Sequence, residues 1–88
     1  MNKNQKVITT LKKARTHINK IIEMIKEEEY CIDIIQQLNA IEGYITSART
    51  QKLQDHLQHC FAEGMKSKSK AKKKRLIDEV LQVTKISK

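Results

Sequence analysis

The sequence predicts an all-α fold in which two long helices form an antiparallel hairpin and a short third helix follows. Three observations carry this. The chain of 88 residues contains no proline and only two glycines, so little interrupts a helix. Charged residues make up 32% of it, and isoleucine and leucine recur three and four positions apart, which is the period of amphipathic helices. A chain of this length buries little of its own apolar surface, so oligomerisation is expected to complete the core.

The first helix is predicted over about 6–28, where Val7, Leu11, Ala14, Ile18, Ile21, Ile22 and Ile25 keep a helical period. Lys12, Lys13, Arg15 and Lys20 fall mainly on other faces. Glu27, Glu28 and Glu29 suit the positive end of a following helix better than the end of a preceding one, which puts a turn near Glu27 to Tyr30. The second helix is predicted over about 29–63, sustained by Ile32, Ile35, Leu38, Ile41, Ile45, Ala48, Leu53, Leu57 and Phe61. Gly43 is its weak interior point, and Gly64 is the expected C-cap. The run KSKSKAKKK reads as a basic linker over about 64–74. A third helix is predicted over about 75–86, too short to stand without docking. The whole chain, 1–88, reads as one domain.

A formal charge of +8 attracts nucleic acid, anionic lipid or acidic protein without choosing among them. No apolar run approaches the roughly 20 residues of a membrane span, and no secretory leader is evident, so a cytoplasmic protein without a membrane partner is expected. Paired carboxylates, a phosphate-binding glycine loop and a nucleophile with an evident base are all missing from the pattern, which argues against an enzyme or a small-molecule substrate.

Cys31 and Cys60 are the two cysteines, and in a reducing compartment such a pair more often serves thiol chemistry or metal ligation than a staple. His56 and Cys60 stand four apart, so on a helix both project from one face and can chelate one ion. The same spacing also describes a packed thiol beside an unrelated imidazole. On one unbroken helix Cys31 would lie about 37 Å from His56. A single chain could not then close a site with all three, whereas an antiparallel dimer would bring Cys31 of one copy to His56 and Cys60 of the other. Two thiolates and one imidazole form a soft set that suits Cu(I) better than the four-ligand cage of structural zinc. Ligation needs deprotonated thiols, so metal uptake should release protons.

The segments YCIDIIQQLNA (Tyr30 to Ala40) and DHLQHC (Asp55 to Cys60) resemble the CsoR/RcnR family of metal-sensing repressors, over roughly Leu11 to Val83. Its copper members share a Cys, a His 25 residues later and a Cys four beyond, the separations of Cys31, His56 and Cys60; Gln37 and Ala40 also match. The resemblance implies a four-helix-bundle dimer, a disc-like dimer of dimers, and a repressor that releases operator DNA when Cu(I) binds. It further implies that Tyr30 and a third-helix glutamate, best matched by Glu79, support the ligating histidine. Nickel members add an N-terminal nitrogen ligand that this sequence does not match. A persulfide-sensing branch lacks the histidine that His56 supplies here.

The family presents flat basic faces to DNA, and Lys12, Lys13, Arg15, Arg49 and Lys52 are the candidate phosphate contacts. The sequence departs from the family at Thr10 and Ser47, where arginines are usual, and at Arg15, Thr16 and His17, where Glu-Gly-Gln is usual. A metal-buffering protein with altered or lost operator recognition, or a thiol or persulfide sensor, is therefore the alternative. A nonspecific nucleic-acid-binding helical protein with core thiols is a third reading.

Overall fold

The computed structural model describes residues 3–84. Helix α1 spans Lys3–Lys26 and α2 spans Cys31–Asp55. A π-helical segment, His56–Phe61, continues directly from α2 and gives way to one α-turn, Ala62–Gly64. After a short connection α3 spans Lys70–Thr84. The described residues contain no strand. Two compact units are distinguished, dividing between Leu53 and Gln54.

In the first unit α1 and α2 pack as an antiparallel hairpin. Lys52 Nζ donates to Asn4 Oδ1 at 3.2 Å near the open end, and His17 of α1 meets Gln37 and Tyr44 of α2. The seam buries Val7, Ala14, Ile21 and Met24 of α1 and Ala48 of α2, with Ile34, Ile41 and Tyr44 half-buried beside them. Alanines at 14 and 48 leave room for close helix approach.

The turn joining the helices is a Schellman motif. Glu29 N–H donates to Met24 O and Glu28 N–H to Ile25 O, both at 3.0 Å, while Glu28 takes φ 53°. A left-handed conformation at a residue with a Cβ is unfavourable, so glutamate here is a cost the turn carries. Tyr30 O then accepts from Ile34 N–H at 3.2 Å and opens α2 at Cys31, two residues later than expected. The helix starts only once the turn has consumed Glu27 to Glu29.

The second unit corrects the sequence expectation at three places. Helix geometry loosens over His56–Phe61, where Ala62 N–H reaches Leu57 O in the wider ring of a π-turn. The helix does end at Gly64, yet no glycine has positive φ. Gly64 instead packs against α3: a Cβ there would meet the tip of the Leu76 side chain, which would have to shift. The basic linker is also shorter than predicted, because α3 begins at Lys70 rather than near 75. Ser69 Oγ accepts from Lys72 N–H at 3.2 Å, an N-cap that starts the helix within the lysine run despite unfavourable charge. The predicted end of this helix, at 86, lies outside the described residues.

Gly43 is exposed, with nothing within 4 Å of where a Cβ would lie. Gly43→Ala is therefore expected to raise stability by about 1 kcal/mol through helix propensity alone, and Glu28→Gly by a similar amount through relief of the left-handed turn. Urea denaturation at fixed protein concentration measures both, and an unchanged midpoint for Glu28→Gly would contradict the turn assignment.

Candidate metal centre and nucleic-acid face

Once the seam is formed, the outer surface of the hairpin has two unlike sides. At about 100° per residue, Leu11, Ile18, Ile22 and Ile25 form one stripe on α1, next to the seam. Ile35, Leu38 and Ile45 form another on α2. The hand of two antiparallel helices puts both stripes on the same side of the hairpin. All seven side chains are between 40% and 54% exposed. Arg15, Glu42 and Arg49 punctuate this side, each of them exposed.

Cys31 belongs to this apolar side. As the first residue of α2 it falls within about 40° of Ile35, Leu38 and Ile45 around the helix axis, and its thiol is free and exposed. Tyr30 immediately before it is 67% exposed.

His56 and Cys60 both sit in the π-helical segment of the second unit. The His56 ring is half-buried and tilted against Phe61, with centroids 6.4 Å apart. Cys60 is free and exposed. His59 is exposed and lies 3.8 Å from Asp55 Oδ1. Glu79 is exposed on α3, and no hydrogen bond joins it to His56 among the described residues. Nor do the described residues of one chain gather three or more His, Cys, Asp or Glu side chains around a point that could hold a metal ion. The donor chemistry itself fits a soft monovalent ion, since two unpaired thiols and an imidazole are the available ligands.

The opposite side of the hairpin is basic. A groove of about 580 Å³ runs there, lined from α1 by Thr9, Lys12, Lys13, Thr16, His17 and Lys20. Gln37 and Tyr44 of α2 complete it. His17 Nε2 donates to Gln37 Oε1 at 2.5 Å, and the His17 and Tyr44 rings meet edge to face at 5.9 Å. Of the five expected phosphate contacts, Lys12 and Lys13 therefore line the groove, Arg15 and Arg49 stand on the apolar side, and Lys52 spans the seam to Asn4.

Sequence reasoning passed over Lys20, Thr9 and Tyr44 as parts of one surface. The signal was present as Thr9, Lys12, Lys13, Thr16, His17 and Lys20, a polar stripe at spacings of three and four. Tyr44 was hidden because a lone aromatic at that period reads equally as core.

Truncating His17 removes one side chain–side chain hydrogen bond and one aromatic edge contact across the seam. His17→Ala should thus lower stability by about 1–2 kcal/mol, measured by urea denaturation at fixed protein concentration; no loss would mean that the contact with Gln37 carries no load.

The family described as metal-sensitive transcriptional repressor matches residues 3–85. The chain is similar to the copper-sensing transcriptional repressor CsoR of Mycobacterium ulcerans (strain Agy99), 32% identical over 80 residues, which are 90% of this chain and 68% of that protein. It is 30% identical over 61 residues to CsoR of Bacillus subtilis (strain 168), covering 69% of this chain and 60% of that protein. Its fold resembles the crystal structure of the copper-sensing repressor CsoR with Cu(I) from Geobacillus thermodenitrificans NG80-2. That structure has a TM-score of 0.81 at 25% identity, over 92% of this chain and 81% of that one.

Proposed function

Because the chain belongs to the family of metal-sensitive transcriptional repressors, we propose that it is a Cu(I)-responsive repressor whose metal site is completed between two copies. The observation that carries this reading is the position of Cys31 among Ile35, Leu38 and Ile45, on the side of the hairpin that exposes its large apolar residues. Covering each half-exposed leucine or isoleucine is worth about 1 kcal/mol, so a second copy has ample driving force to pack there. Antiparallel pairing of the second helices in a register that sets Cys31 against the partner subunit's His56 and Cys60 puts the twofold axis between Gly43 and Ile45. Ile45 is one of the exposed apolar residues.

In this arrangement Cys31, with His56 and Cys60 from the other copy, holds the ion through two thiolates and a neutral imidazole. Bound Cu(I) supplies the soft centre that ties the two chains together at both ends of the dimer. The π-helical winding beneath His56 and Cys60 suits such a role, since these loosened turns concentrate at functional sites. Tyr30 next to Cys31, and Glu79 on α3, are the groups proposed to orient the His56 ring through its other nitrogen. Of the exposed cations Lys12, Lys13, Arg15, Arg49 and Lys52, it is Lys12 and Lys13 that stand on the side dimerisation leaves open and supply phosphate contacts there, while Arg15 and Arg49 stand on the side the second copy covers. Occupation of the metal site and of the operator are then coupled negatively, and each ligand weakens the other by the same factor.

A second reading draws on the exposure of both thiols, which also suits a thiol or persulfide sensor. The histidine separates the two. Cu(I) added to the protein on its own promoter DNA is expected to lower DNA affinity by about 5- to 150-fold, the range of ordinary allosteric coupling, while Cys31→Ala and His56→Ala stay bound. Fluorescence anisotropy of the labelled promoter reads the release. Full release by His56→Ala on thiol modification, with no response of the wild type to Cu(I), would replace the copper reading by the thiol one.

A further inference from the structure

The basic groove holds more than two phosphate-contacting lysines require. Its eight lining residues include three ammonium groups and no carboxylate. Concentrating like charge along one helix face is unfavourable without a counter-anion. Behind the lysines stands a second layer of half-buried groups: His17, Gln37 and Tyr44. With Gln37 Oε1 taken by His17, the amide NH2 of Gln37 and the phenol of Tyr44 remain as donors. Thr9 gives its hydroxyl proton to Gln5 O at 2.9 Å, so it contributes wall rather than a donor. Lysine stems, threonine methyls and the tyrosine ring make the sides apolar, while the charge sits at the rim. A volume of about 580 Å³ exceeds what a bare oxyanion fills and falls within the range of small-ligand sites.

We propose that this open groove is a binding site for a phosphate ester. Lys12, Lys13 and Lys20 neutralise the phosphate, and the Gln37 and Tyr44 donors with the apolar walls receive the group attached to it. The inference rests on the repressor reading only for one of its two sources. The ester is either a backbone phosphate of duplex DNA or a free phosphorylated small molecule, and the pocket chemistry is the same for both. Since the apolar stripe lies roughly 170° away around α1, pairing of two copies through that stripe leaves the pocket open.

The test follows the backbone and side-chain NMR signals of Thr16, His17, Gln37 and Tyr44 in the full chain. One arm adds inorganic pyrophosphate and the other a 20-base-pair duplex. Pyrophosphate should shift these signals saturably, and Lys12→Gln with Lys20→Gln should weaken that binding at least tenfold while circular dichroism stays helical. If the duplex displaces pyrophosphate from the pocket, DNA is the source. If pyrophosphate saturates the pocket and the duplex does not compete, the source is a free phosphate ester, and the pocket stands even where the DNA reading fails. Shifts that never saturate, that spread evenly over all lysine-bearing surfaces, or that persist in the double variant overturn the proposal. So does a duplex that binds elsewhere on the chain while neither probe moves the pocket signals, an outcome that leaves the repressor reading intact.

Discussion

A two-helix hairpin has one seam, and one seam cannot bury two apolar faces. Here the seam takes Val7, Ala14, Ile21, Met24 and Ala48, whereas Leu11, Ile18, Ile22, Ile25, Ile35, Leu38 and Ile45 are left close to half exposed on one side. Contiguous apolar surface of this kind marks an interaction site rather than ordinary surface scatter. The remaining features sort themselves around it. Cys31 shares that side, where a second chain would arrive. The lysine-lined groove occupies the opposite side, where a polyanion can approach without competing for the same surface. A single amphipathic design would offer one apolar face; α2 is apolar on two, and the hairpin as a whole keeps seam, apolar side and basic groove apart by angle.

The second unit answers a different problem. A short lysine-rich helix has poor intrinsic stability, and α3 exists because its ends and contacts are supplied locally. Ser69 caps it, Lys74 Nζ pairs with Asp78 Oδ2 at 3.2 Å one turn on, and Leu76 packs closely over Gly64. Between this helix and α2 lies the π-helical segment with His56 and Cys60. Such wider turns concentrate at functional sites, which suits the ligand role proposed for these two residues.

Much of this was legible in the residues. Isoleucine and leucine at helical spacing pointed to both long helices, and the acidic run Glu27 to Glu29 to the turn between them. The separations of Cys31, His56 and Cys60 pointed to the family that the comparisons then showed. What the sequence hid were features set by tertiary context. Ser69 looked like part of a low-complexity run, and only its hydroxyl's bond to Lys72 N–H turns that run into a helix start. Gly64 looked like a left-handed cap, yet its φ is not positive and its place is against the Leu76 side chain. The π-turn leaves no signature in a pattern that α-helical spacing already satisfies. Arg15 and Lys12 looked equivalent as basic residues, but about 60° of helix rotation puts Arg15 beside the apolar stripe and Lys12 at the edge of the groove.

In the proposed dimer the three soft donors come from two chains. Equal amounts of Cys31→Ala and His56→Ala chains, denatured together and refolded, should regain tight Cu(I) binding at one ion per mixed dimer, because Cys31 of one variant meets the intact His56 and Cys60 of the other. Each variant alone should bind none tightly. If the mixture recovers no site beyond the sum of its parts, the donors do not converge across an interface and the intersubunit account is wrong.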